Sequence, residues 1–387
     1  MSSNMESNLE SNLESNMHSN MHSNMAPVPQ AHSNLHLMDL EYPFSESSIA
    51  QTPAEPRDSA RMMVVRRDSQ EIIHAHVRDL PKWLHQGDQL VLNETKVAPA
   101  RLVLKREQDG HDFEGLLAEK RPDQTWLLMA KNSKKFHVGD RLQLRDEHGA
   151  AGAVLRCLAK ESNGWVVAFD DGVDPRQALE DSGRTPLPPY IMHARGERAH
   201  NESFDRAHYR TIFGQDTQFH SVAAPTAGLH FTSELLQHVA QTTKRPPAFV
   251  TLEVGMGTFK PIEVQRLADH HMHSERFMVS ASTLERIKTT RPDGRFVVVG
   301  TTTVRALESL PTPLPTSDFY SESRLFIQPG YQFQYVDALL TNFHLPRSTL
   351  LSLVGSLVGL DRLKSLYALA QHMNYRFYSY GDAMLIL

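Results

Sequence analysis

The feature that most constrains the fold is a change of texture at Pro186-Leu187-Pro188-Pro189. Before it, from about Leu102 to Asp171, short apolar stretches are cut by turn residues at Asp109-Gly110, Pro122-Asp123, Val138-Gly139-Asp140, His148-Gly149 and Asn163-Gly164. Closely spaced strands with this punctuation and no helical period predict a small antiparallel barrel. After it, apolar runs at 249–255 and 296–302 alternate with helical stretches at 232–241, 262–268, 282–288, 303–310 and 348–371. That alternation predicts an α/β domain with a parallel or mixed sheet. Residues 61–77 read as a hairpin turning at Asp68-Ser69-Gln70, and 88–104 as two strands broken at Asn93-Glu94-Thr95 and Pro99. The expected organisation is a mixed-sheet α/β catalytic domain made of 38–100 and 183–387, with a β-barrel domain inserted at 101–182.

Residues 1–25 are a period-four repeat of Ser, Asn, Met or Leu, and Glu or His. Ser and Asn at half the positions oppose a helix, so 1–37 is expected to be a disordered low-complexity tail. It holds three acids (Glu6, Glu10, Glu14) and no Lys or Arg; with a net charge of −5 overall, the remainder carries −2. A nearly neutral body argues against a broad nucleic-acid-coating surface and leaves room for a local basic patch. The single cysteine, Cys157, permits no internal disulfide, which fits a reducing compartment. No apolar run approaches the roughly 18 residues that span a bilayer, and the N-terminus lacks a basic region followed by an apolar one. A cytoplasmic protein with no membrane association is expected.

Several clusters suit chemistry. The turn Glu253-Val254-Gly255-Met256-Gly257 ends a strand; Gly255 and Gly257 would let a backbone approach a ligand, but no third small residue or immediate helix completes a dinucleotide fingerprint. His271, His273 and Glu275 share one face of an extended segment, suited to acid–base work or, less so, to a metal. His230 follows the flexible Ala227-Gly228 turn. Thr301, Thr302 and Thr303, with Arg305, open a helix after a buried strand, an arrangement that favours an anion. Asp337, Asn342 and His344 are polar among large apolar residues and need partners, in the core or in a site. Arg57, Arg61, Arg66 and Arg67 precede the barrel, while Lys120-Arg121 and Lys131, Lys134 and Lys135 lie within it. All are candidate phosphate contacts or a solvated face.

Nine segments in fixed order, from 49–64 (IAQTPAEPRDSARMMV) through 90–102, 186–191, 221–232 (SVAAPTAGLHFT), 250–262, 271–275, 297–309 and 329–351 to 375–386, resemble the S-adenosylmethionine:tRNA ribosyltransferase-isomerases of queuosine synthesis. The resemblance covers about 38–387. It implies an α/β domain plus a β-barrel, and transfer with isomerisation of the ribosyl group of S-adenosylmethionine onto 7-aminomethyl-7-deazaguanine at the tRNA wobble position. The products would be epoxyqueuosine, adenine and methionine. S-Adenosylmethionine would be a consumed cosubstrate; no metal is expected, and the partner would be tRNA with a GUN-type anticodon, bound by a monomer. The chemistry then suggests His230, His273 and Glu275 for acid–base work, Thr301–Thr303 and Arg305 for the methionine carboxylate or ribose, and Asp337, Asn342 and His344 for a base. Arg57, Asp58 and Arg61 would meet tRNA. The chain departs from the family pattern at Glu253, His220 and the 208–214 block. The rival readings are a catalytically silent tRNA-binding paralogue, an S-adenosylmethionine-dependent methyltransferase using the 253–258 turn, and a metal hydrolase on His271 and His273.

Overall fold

The computed structural model describes residues 35–196, 201–215, 220–255, 262–290 and 294–387. The tail up to residue 34 and Gly257 lie outside the described residues.

Among the described residues, nine strands form one mixed sheet. In chain order they are β1 (Arg61–Val65), β2 (Ile72–His76) and β3 (Gln89–Asn93), then β10 (Ala248–Leu252), β11 (Glu275–Val279), β12 (Phe296–Val299), β13 (Phe319–Ser323), β14 (Ala338–Asn342) and β15 (Ala383–Ile386). Their spatial order is β13-β11-β10-β3-β12-β14-β15-β1-β2. The central run β10-β3-β12-β14 is parallel throughout. Its strands are almost wholly buried, as expected where helices cover both faces. Successive residues serve opposite cores: Val91, Val298 and Leu339 pack on one side, and Leu90, Leu92, Val297, Val299 and Leu340 on the other.

The region between β3 and β10 holds the barrel: β4 (Arg101–Arg106), β5 (Asp112–Lys120), β6 (Trp126–Ala130), β7 (Arg141–Arg145), β8 (Ala151–Glu161) and β9 (Gly164–Phe169). These close in the order β4-β5-β6-β9-β8-β7, with every pairing antiparallel. Inward positions such as Leu102, Leu104, Leu142 and Leu144 alternate with half-buried ones, and Trp126 and Trp165 fill the interior. The expected fold class, an α/β mixed sheet with an inserted antiparallel barrel, is the observed one.

Two local expectations differ. Residues 262–268 form no helix beyond a short turn at Leu267–Asp269. Instead they pair with the edge of the N-terminal tail: Leu37 N–H donates to Gln265 O (2.8 Å), and Leu267 N–H to Leu35 O (3.0 Å). Tertiary pairing outweighs a weak local helical preference there. The stretch 348–371 is two helices, Thr349–Val358 and Leu360–His372, broken at Gly359, whose φ of +84° a side chain would oppose.

Candidate active site

Strand order puts the loops that follow β3, β10, β12 and β14 side by side, at the carboxyl ends of the parallel strands, where open α/β sheets hold ligands. Polar side chains fix those ends. At the end of β3, the Asn93 amide donates to Leu252 O (3.1 Å) and Thr302 Oγ1 (3.3 Å), while its oxygen accepts from Leu252 N–H and Thr95 N–H, both at 3.1 Å. Ser221 Oγ contacts Thr95 Oγ1 (2.6 Å) and accepts from Val254 N–H (3.0 Å). This anchors the 221–227 segment over the sheet end.

A cavity of about 240 Å³ opens there. Its walls come from Ala224-Pro225-Thr226, Gly300-Thr301-Thr302 and Thr341–Pro346, with Tyr190 and Tyr378 from distant segments. Gly300 takes φ +84°, so the chain can turn from β12 into the helix Thr301–Glu308; Gly300 offers no side-chain cap to the first N–H groups of that helix. They form a partly positive rim suited to a carboxylate.

The polar groups of this wall carry no charge, and His230, which does not itself line the cavity, lies behind it. The Asn342 oxygen accepts from Thr226 Oγ1 (2.8 Å), which fixes the amide so that its nitrogen donates to His230 Nε2 (3.2 Å). His230 is therefore an acceptor at Nε2. Burial first, then the positive charges of Arg376 and Arg57, lower its pKa to about 4. His344 Nε2 meets Thr341 Oγ1 (2.9 Å), and burial lowers this pKa to about 3. Its backbone is clamped: the N–H donates to Tyr367 Oη (3.1 Å) and the carbonyl accepts from Tyr42 Oη (2.5 Å). Both imidazoles are uncharged at neutral pH and serve as neutral hydrogen-bonding groups, since burial disfavours their protonated forms.

The aromatic wall was not singled out from the sequence. Tyr190 and Tyr378 contact at a centroid distance of 4.8 Å, and Tyr190 Oη meets Ser379 Oγ at 2.5 Å. Tyr378 has φ +72°, a conformation that costs a non-glycine residue energy, and its buried hydroxyl has no hydrogen-bond partner among the described residues. Nothing in the local sequence announces a left-handed tyrosine.

Other candidates lie elsewhere. Arg305 is buried and ion-paired with Glu275; it also donates to Leu325 O (3.2 Å) and Ser323 O (3.4 Å), tying its helix to β11 and β13. Neither residue lines the cavity. His273 is exposed and also outside the lining, as is His271. Thr303 turns inward, Oγ1 donating to Val299 O (2.6 Å). Asp337 sits at the opposite end of β14, accepting from Phe296 N–H (2.8 Å). Gly255 ends the described part of its turn, with open space where a side chain would be. Among the described residues no group of three or more His, Cys, Asp or Glu side chains could hold a metal.

Arg57 donates to Arg210 O and Ala207 O, both at 2.7 Å. Arg61 donates to Met373 O (2.8 Å) and lies 3.8 Å from the Tyr375 ring centroid. Lys131 is exposed and 3.3 Å from Glu114; Lys134 and Lys135 are exposed on a barrel turn. His220 and Glu253 join the two domains: His220 Nε2 meets Leu117 O of β5 (2.8 Å), its ring packs edge-on against Trp126, and Arg276 bridges Glu253 (2.8 Å) to Lys120 O (3.4 Å). Burial lowers the His220 pKa to about 4, further depressed by Arg276 and Lys120 against the bond to Leu117 O.

Fold and site together define an α/β enzyme with an inserted barrel and a ligand cavity at the ends of its parallel strands. The chain belongs to the family described as queuosine biosynthesis protein, whose profile matches residues 37–386. It is 41% identical over 376 residues to the S-adenosylmethionine:tRNA ribosyltransferase-isomerase of Nostoc sp., covering 91% of each chain. To that of Symbiobacterium thermophilum it is 43% identical over 361 residues, covering 91% of this chain and 100% of the relative. Among solved structures it is similar to the S-adenosylmethionine tRNA ribosyltransferase of Thermotoga maritima, at 33% identity and a TM-score of 0.51, over 90% of this chain and 100% of that one. No helix among the described residues is long and apolar enough to cross a membrane.

Proposed function

We infer that this chain transfers the ribosyl group of S-adenosylmethionine to 7-aminomethyl-7-deazaguanine at the tRNA wobble position and isomerises it, giving epoxyqueuosine, adenine and methionine. Beside family membership, the observation that carries this reading is the composition of the cavity. Its lining has aromatic faces, an uncapped helix N-terminus and neutral hydrogen-bonding groups, and no carboxylate among the described residues. A sulfonium that also bears a carboxylate matches it. The rings of Tyr190, Phe343 and Tyr378 face the cation, and the N–H groups of Thr301 and Thr302 hold the carboxylate.

The reaction removes a proton from the ribose carbon beside the sulfonium and returns one to departing adenine. His344, in the wall, is the imidazole placed to relay that proton to adenine, and the proton that the substrate amine loses on forming its new C–N bond goes to solvent, matching the positive charge lost from sulfur. Asn342, held by Thr226 and His230, binds the ribose or a base edge. S-Adenosylmethionine is consumed, with no metal participating. The tRNA carries a GUN-type anticodon, the enzyme acts as a monomer, and the cytoplasm is its site of action.

The test incubates the protein with S-adenosylmethionine and tRNA bearing the aminomethyl-deazaguanine base. Equimolar adenine and methionine, released only with that tRNA, is the expected outcome. Methyl transfer without adenine release would replace this reading with a methyltransferase, and tRNA binding without S-adenosylmethionine consumption with a silent paralogue.

A further inference from the structure

We propose that the concavity lined by Arg57, Lys96 and Arg210 grips a backbone phosphate of the RNA beside the nucleoside held in the cavity. The inference rests on the RNA substrate of the proposed function and adds where the RNA is held.

The concavity measures about 440 Å³ and adjoins a smaller one of about 70 Å³ that shares Lys96 and Arg210. Together their linings carry four cations, Arg57, Lys96, Arg206 and Arg210, against one carboxylate, Glu180, among the described residues. Arg206 is matched by Glu180 (3.0 Å) and Glu202 (3.3 Å), and Lys96 lies 3.9 Å from Glu180. Arg57 and Arg210 differ. Arg57 is fixed by two backbone carbonyls, which orient its guanidinium without cancelling the charge. Arg210 is exposed, and its side chain has no hydrogen bond or ion pair among the described residues. Burial lowers the Arg57 pKa most, the nearby Glu55 and then Tyr380 offset it in part, and Arg210 adds a smaller repulsion that a bound anion relieves. Exposed Ile212 adds an apolar contact at the rim, suited to a ribose or base face.

The concavity is also close to the chemistry. The Arg57–Ser59 turn packs on the Thr226–His230 turn. Thr211 and Phe213 press on the same turn so closely that a Cβ on Gly228 would come within 3.0 Å of both. The near end of that turn, Thr226 and Ala227, lines the cavity. Phosphate site and cavity are thus separated by one turn of chain. A nucleoside turned into the cavity would leave its phosphates on this side. The barrel lysines Lys134 and Lys135 line neither concavity.

The experiment measures binding of the aminomethyl-deazaguanine tRNA to the full chain by fluorescence anisotropy at several salt concentrations, for wild type, Arg210→Ala and Lys134→Ala/Lys135→Ala. Arg210→Ala is expected to weaken binding about tenfold and to lessen the slope of log K against log salt by about one. Its KM for tRNA rises while its KM for S-adenosylmethionine stays, and the barrel pair changes binding less than about twofold. Wild-type binding by Arg210→Ala, or a loss confined to the barrel pair, overturns the proposal. Because binding is read without turnover, tRNA binding that needs Arg210 in a protein releasing no adenine would remove the proposed function and leave this inference standing.

Discussion

The helix Thr301–Glu308 has two ends with different work. At its start, Gly300, Thr301 and Thr302 meet the cavity, and the buried polar groups around them are neutral: Asn342, His230, His344. One turn on, Arg305 forms a buried ion pair with Glu275 and points away from the cavity wall. From sequence, Thr301–Arg305 reads as one ligand-binding unit. The structure divides it along the helix axis: Thr301 and Arg305 share a face, but four residues of rise, about 6 Å, carry Arg305 past the cavity to Glu275 and the carbonyls of Ser323 and Leu325. A buried charge that has found a partner holds architecture together; the N–H groups at the start of the helix, with no side-chain cap from Gly300, remain for a ligand.

The largest effect should fall on the architectural side. Arg305→Ala removes the ion-pair partner of buried Glu275 and should cost about 3–5 kcal/mol of stability in urea unfolding. The double variant Arg305→Met, Glu275→Leu should recover most of it, with turnover per folded molecule near wild type. If the double variant is stable but inactive, the division of the helix is wrong. On the cavity side, Asn342→Ala frees Thr226 and buried His230 and should lower kcat/KM about 100-fold, about 2.7 kcal/mol, with a stability loss of about 1–3 kcal/mol that leaves the protein folded.

The next effect depends on pH. His220, His230 and His344 have folded pKa values of about 4, 4 and 3, below the 6.5 of an unfolded histidine. Between about 6.5 and 4 the unfolded chain binds more protons, so stability falls as pH falls, by up to about 1.4 kcal/mol per pH unit for each histidine. Urea midpoints from pH 7 to 5 read this, and His344→Gln should flatten the slope. The smallest effect belongs to exposed His273: His273→Ala should change adenine release less than about twofold, and a large loss would return it to the catalytic set.

Much of this was legible in the chain. Turn pairs every ten or so residues encode the barrel, and unbroken apolar runs encode strands buried on both faces. Asn342 and His344 stand out as polar residues at a strand end, and the structure places both in the cavity wall. What escaped depends on distance or on backbone. Tyr190 and Tyr378 meet across 188 positions. The left-handed φ of Tyr378 follows from the surrounding packing. The pairing of Arg305 with Glu275, 30 positions apart, and their place outside the cavity lining also show only in three dimensions. The 262–268 helix failed because its partner, the end of the tail, supplies a pairing no local pattern shows.

The central claim is that the substrate binds where the parallel strands end, among neutral groups, and not at the 271–275 segment that leads into β11. Titration calorimetry of S-adenosylmethionine into wild type, Asn342→Ala and His273→Ala tests it most directly. The account predicts wild-type affinity for His273→Ala and at least about tenfold weaker binding for Asn342→Ala in a folded protein. Unchanged affinity in Asn342→Ala together with lost binding in His273→Ala would contradict it.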